Sequence, residues 1–332
     1  MPPVPYHLHA FPSSLGIPTA GTLIVRQVDL MRAAATIGVT PFGRSAHRYP
    51  ASIDLLWRAA MAQANLQERH THWERSDSYC RMNPTEKGAV SYFLGQVQAK
   101  LAAEQIFGIA TFAHFESYLE AIGQRSNQSR PDFIGFNNRG NTFVTVEAKG
   151  RFGKHPADRY VQAAKKQAQT VSSSRSSGTD HVYAQVAHFE SGVWTADLHD
   201  PPSVRQTNGP DPSAVTFAHY WPTVAAINER RRLLETSLDL SDAQELEGTR
   251  SALFPEVGFA LGVPEDIADS VTVAAQSALA SKHLDRQQRF PDLLDATSID
   301  AEEAHARRTD DPRVSVGNDG IVCVLLRPGN SG

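Results

Sequence analysis

Residues 130–149 read RPDFIGFNNRGNTFVTVEAK. Pro131-Asp132 heads a short apolar run, Phe133 to Phe136. Asn137-Asn138-Arg139-Gly140-Asn141 follows, rich in residues that tolerate positive φ. The β-rich run Thr142 to Val146 then ends in Glu147-Ala148-Lys149. Two strands around a tight loop predict a hairpin. Strand side chains alternate faces, so Glu147 and Lys149 share one side while Val144, Val146 and Ala148 share the other. Closing the hairpin returns Asp132 beside Glu147 and Lys149. The expectation is two carboxylates and one ammonium at one edge of a sheet.

Close carboxylates repel each other unless a cation lies between them. Oxygen-only ligands suit a hard divalent ion, Mg²⁺ or Mn²⁺. Such an ion polarises a phosphoryl oxygen and supplies hydroxide near neutral pH. Lys149 adds positive charge for the attacking water or the transition state. These parts fit metal-assisted phosphodiester hydrolysis. The plainer reading is an exposed Glu–Lys pair contributing at most about 1 kcal/mol.

Pro131-Asp132 followed after fourteen residues by Glu147-Ala148-Lys149 resembles the PD-(D/E)XK nuclease superfamily, the restriction endonuclease-like fold. The motif is short, and the resemblance extends through the order of elements from about Pro84 to Pro201. It implies an α/β core, a mixed central sheet flanked by helices, over residues 84–202. It also implies Asp132 and Glu147 as metal ligands, joined by the Ala148 carbonyl, and Lys149 as a catalytic residue. DNA is the implied substrate, with RNA left open, and restriction or phage defence the implied setting. A catalytically silent nuclease-fold module that binds nucleic acid or docks a partner is the alternative.

Upstream, Asn83-Pro84-Thr85-Glu86 has the N-cap, the first-turn proline and the acid at the third position that open a helix. Val90, Leu94, Val97 and Leu101 form its buried stripe, and Gly108 closes it. In similar nucleases a helix, a first strand and the catalytic hairpin follow one another. That order brings the helix start toward Asp132 and makes Glu86 a supporting acid at the site, unless it only completes a capping box. Glu104 reads as a solvated helix end. A helix over 157–172 follows the hairpin, with Gln162 carried over as the glutamine that orients Lys149 or the phosphate, and Gln167 as second choice.

From Arg139 to Arg175 eight basic side chains face two acidic ones, although the whole chain of 332 residues carries a net charge of −4. Arg139, Arg151, Lys154, Arg159 and Lys166 are therefore the expected polyanion-binding residues, acting through phosphates without sequence choice.

Residues 1–83 read as an N-terminal extension containing a strand in 21–28, a helix in 29–37, a loop at 41–50 and a helix over 52–69. His70, His72 and Cys80 match no strong zinc pattern. Beyond the hairpin, 171–178 is a low-complexity loop and 181–189 and 192–198 are strands. A turn-rich linker, 201–212, leads to a mostly helical accessory region, 213–332. Its helices are expected at 224–235, 243–253, 265–280 and 301–308, with a final hairpin from 313–316 and 321–326. This region is acidic overall and offers a surface for a homodimer or a partner protein. The pentapeptide AHFES at 113–117 and 187–191 falls in two expected strands.

Two cysteines, no secretory signal and no long apolar run make a cytoplasmic protein without a membrane span the expectation. The chain has no phosphate-binding loop of helicase motors, no dinucleotide fingerprint and no nucleophile elbow.

Overall fold

The computed structural model describes residues 2–39, 50–124, 129–137, 142–153, 157–169, 181–200, 210–235, 246, 248–280 and 311–326. Outside this set lie the hairpin turn 138–141, residues 41–49 of the first loop, the low-complexity loop 171–178, most of the linker 201–212 and the expected helix 301–308.

The elements in chain order begin with β1 (Pro3–His9), β2 (Ala20–Ile24), α1 (Gln27–Thr36), α2 (Ala51–Asn65), β3 (Leu66–Glu68), β4 (Trp73–Arg75) and α3 (Asp77–Arg81). Next come α4 (Pro84–Phe107), β5 (Thr111–His114), α5 (Phe115–Ala121), β6 (Phe133–Asn137), β7 (Thr142–Gly150), α6 (Asp158–Ala168), β8 (His181–Glu190) and β9 (Val193–His199). The chain ends with α7 (Pro212–Glu235), β10 (Thr249–Phe254), β11 (Phe259–Pro264), α8 (Glu265–Ala280), β12 (Val314–Val316) and β13 (Val322–Leu325).

The main sheet runs β2-β1-β9-β8-β7-β6-β5, with β3 and β4 attached through β9. Strands β5, β6 and β7 form an antiparallel meander. Helix α6 then crosses over so that β8 returns parallel to β7. The N-terminal residues are part of this sheet, since β1 pairs parallel to β9 and antiparallel to β2.

Alternation along the meander divides the core. Phe133, Val144, Val146 and Ala148 face one side, where they pack with Val90, Leu94, Val97 and Leu101 of α4. Ile134, Phe136 and Phe143 face the other, with α2, α5, α7 and α8. Helix α4 starts as the sequence implies, with the Asn83 side chain accepting from the Glu86 N–H (3.0 Å) and Glu86 accepting from the Asn83 N–H (2.9 Å). Gly108 ends it in the left-handed region at φ 65°.

The C-terminal region is less helical than its sequence implies. Residues 243–253, expected as a helix, include strand β10, and β11 was not foreseen. Strands β10-β11-β13-β12 form a second, antiparallel sheet. The final hairpin and α8 lie where expected. Cross-strand pairing of β10 with β11 from Thr249↔Pro264 to Phe254↔Phe259 outweighs the local helical pattern. The first AHFES copy leaves β5 for α5, so the two copies adopt different structures.

A buried polar network ties this second sheet down. Asp319, between β12 and β13, is hydrogen-bonded to His219 Nε2 of α7 (3.0 Å) and to Lys100 Nζ of α4 (3.4 Å). Arg32 of α1 bonds Glu104 (2.7 Å) and Ser315 (3.0 Å). Glu104 also accepts from the Asn318 N–H (2.8 Å), so it is a buried junction rather than a solvated helix end. The Lys100 ammonium, with His219 and Arg32, holds the Asp319 carboxyl below the usual carboxylate range despite its burial. Among the described residues no helix is long and apolar enough to cross a membrane.

Helix α4 passes very close to the end of β7. A Cβ on Gly95 would lie 2.9 Å from the Gly150 nitrogen, and one on Gly150 would overlap the Ser91 carbonyl. Gly150→Ala is expected to cost about 1–3 kcal/mol by overpacking. Gly88→Ala, at a helical position with open space around it, should instead stabilise by up to about 1 kcal/mol. Urea unfolding of the two variants checks both signs.

Candidate metal and nucleic-acid site

The register of the meander builds the site. Phe133 pairs with Val146, and one step further Asp132 stands opposite Glu147. Asp132 Oδ2 accepts the Ala148 N–H at 2.9 Å. Its own carbonyl accepts the Phe115 N–H at 2.9 Å, which fixes the backbone entering β6. Glu147 is fully buried, and neither of its carboxylate oxygens receives a hydrogen bond of ordinary geometry. Its charged neighbour is Lys149, in direct ion-pair contact and partly exposed. The Ala148 carbonyl leaves the strand on the same edge as its N–H, toward Asp132. Asp132, Glu147, Ala148 and Lys149 are thus gathered at one end of the hairpin.

Electrostatics follow from this geometry. Burial, then the Asp132 charge, push the Glu147 carboxyl up to about 8, with Lys149 opposing. Burial also raises Asp132. Two desolvated carboxyls with a single ammonium can share a proton, or can both ionise around a cation. The oxygen donors of Asp132, Glu147 and Ala148 fit a hard divalent ion.

Helix α6 covers the face that carries Thr145, Glu147 and Lys149, with Thr145 Oγ1 donating to the Ala168 carbonyl (3.4 Å). Its glutamine at the site is Gln167, not Gln162. Gln167 Oε1 lies 3.5 Å from Lys149 Nζ, and its Nε2 donates to the Arg130 carbonyl at 2.7 Å. Gln162 is exposed. The helix begins at Asp158, and the face it turns to the sheet carries Val161, Ala164 and Ala168, which leaves 162 outside.

Glu86 is exposed and exchanges hydrogen bonds with Asn83; among the described residues no contact joins it to Asp132 or Glu147. Helix α4 presents Tyr92 instead. Partial burial and the Asp132 and Glu147 charges push its phenol up to about 12. On the other flank, burial and the Arg58 charge lower His114 to about 3, so a neutral imidazole lies against Phe133, the rings tilted with centroids 4.4 Å apart.

Of the basic residues, Arg151 and Arg159 both lie over the exposed Tyr160 ring, at 4.5 and 5.0 Å. Lys166 is exposed on α6. Arg139 and Lys154 lie outside the described residues. His70 and His72 sit around the β3–β4 turn, where His72 lies 3.4 Å from Glu74, and Cys80 is exposed.

A second group escaped the sequence reading. His9, Asp197 and His199 place ligand atoms within 4.8 Å of one another. Their local signal is His7-Leu8-His9 and Asp197-Leu198-His199, alternate positions that share a strand face. Their meeting depends on the parallel β1–β9 pairing, which no local pattern encodes.

A carboxyl raised in the folded state keeps its proton after the unfolded chain has lost its own. Its cost to stability is absent below the ordinary 4.5, grows with pH and is complete above about 8. The metal-free protein should therefore lose stability between these values, and Glu147→Gln should flatten that part of the profile. Thermal unfolding across this range, with a chelator present, measures it.

Comparison of the chain with protein-family models, with curated proteins and with solved structures finds no match.

Proposed function

We propose that this chain is a nuclease that hydrolyses phosphodiester bonds in DNA with Mg²⁺ or Mn²⁺. The observation that carries the reading is the fully buried Glu147 beside the half-buried Asp132, with Lys149 against it. The succession of α4, β5, the β6–β7 hairpin and α6, with α5 inserted between β5 and β6, follows the order of helix, first strand, hairpin and helix that the PD-(D/E)XK resemblance implies.

Asp132, Glu147 and the Ala148 carbonyl would hold the ion. When bound, it supplies a Lewis acid and lowers the pKa of a water. Lys149 orients that water and offsets the charge that grows on the phosphoryl oxygens. The water oxygen bonds to phosphorus as the ester bond breaks, the water's proton passes to solvent, and the departing oxygen takes a proton from solvent. Gln167 holds Lys149 in place by bridging it to the backbone leading into Asp132. Arg151, Arg159 and Lys166 hold the nucleic-acid backbone, the two guanidinium groups being held beside each other over the exposed Tyr160 ring. Restriction or phage defence in the cytoplasm is the setting by analogy with similar nucleases.

Purified protein should cut linear, circular or single-stranded DNA with Mg²⁺ or Mn²⁺ and not with EDTA. Lys149→Ala should lower kcat by about 10²–10³ while the chain stays folded by circular dichroism. Equal cleavage by variant and parent refutes the assignment. DNA binding that ignores EDTA, with no cutting under any divalent ion, identifies a silent nuclease-fold module instead.

A further inference from the structure

His9, Asp197 and His199 lie outside the site above yet share its sheet face. Strand register makes this plain. Glu147 pairs with Ala184, Ala184 with His199, and His199 with His9. Paired residues point to the same side, so one row crosses four strands from Glu147 to His9. With strands about 4.8 Å apart, the two groups are separated by roughly 10 Å across β8.

We propose that His9, Asp197 and His199 bind one Zn²⁺ ion, independently of the Asp132–Glu147 pair. Two imidazoles and a carboxylate are the N, N, O set that zinc takes when a fourth position stays open to solvent, and hard Mg²⁺ prefers oxygen alone. The ligand atoms are already gathered, with His9 Nε2 at 3.2 Å from Asp197 Oδ1. The other carboxylate oxygen is held by His188 Nε2 at 2.7 Å, the outer hydrogen bond that orients a ligating carboxylate. Asp197 and His199 are buried at the floor, whereas the His9 side chain is 44% exposed. The floor ligands are fixed, and the mouth ligand admits the ion.

The His9 and His199 rings are stacked, 4.4 Å apart and 13° from parallel. The bound ion joins positions 188 residues apart in sequence and so fastens β1 to β9. The site lies on the sheet that carries the carboxylate pair and leaves one position of the ion to solvent.

The test uses the whole chain, stripped of metal and titrated with Zn²⁺ against a chromophoric chelator, with Co²⁺ absorption reporting coordination. The parent should bind one equivalent, and an Asp132→Asn, Glu147→Gln double variant should bind it equally. His188→Ala should weaken binding by about 10–100-fold, and His9→Ala and His199→Ala by more. Because His9 is exposed, His9→Ala is expected to fold even if His199→Ala does not. Undiminished Zn²⁺ affinity in a folded His9→Ala variant overturns the proposal. So does loss of binding in the Asp132, Glu147 double variant with the histidines intact, or the absence of any Zn²⁺ binding by the parent.

Discussion

Glu147 is a carboxyl taken fully out of water, with the Lys149 ammonium as the one cation in contact with it among the described residues. A buried ion in that condition costs several kcal/mol unless it is neutralised or paired. Asp132 beside it makes the position worse, and the single ammonium of Lys149 cannot compensate two negative charges. A proton shared between the carboxyls relieves the repulsion, and so does a divalent cation. A divalent cation bound between the carboxyls would displace that proton, which would couple metal affinity to pH.

The surrounding architecture keeps this arrangement from relaxing. Gly95 and Gly150 let α4 press against the end of β7 on one face. On the other, α6 is fastened by Gln167 to both Lys149 and the Arg130 carbonyl. The Phe115 N–H bonded to the Asp132 carbonyl holds the partner strand. Far from the site, the Asp319 network joins α1, α4 and α7 to the second sheet, so α4 is anchored at its C-terminal half as well.

The hairpin and its Asp-Glu-Lys set were legible because both rest on local rules, the period-two alternation and a turn rich in Gly and Asn. The capping box of α4 was legible for the same reason. Gln167 was harder to choose over Gln162, because the phase of α6 depends on where the chain leaves the loop after β7 and on which face meets Thr145. Glu104 looked solvated since its partners, Arg32 and Asn318, are 72 and 214 residues away in sequence. Strand β10 carried a helical spacing locally and became a strand only by pairing with β11. The His9–Asp197–His199 group combined two unremarkable dipeptide spacings that only a parallel pairing between the chain start and β9 could unite.

The most direct measurement is a crystal structure of the parent protein soaked with Mn²⁺, with data collected for its anomalous signal. A single strong peak bridging Asp132 and Glu147, about 2.1 Å from a carboxylate oxygen of each, is the expected result. Ordered density with no peak there under saturating Mn²⁺, or carboxylates turned away from each other, would refute the metal-site assignment.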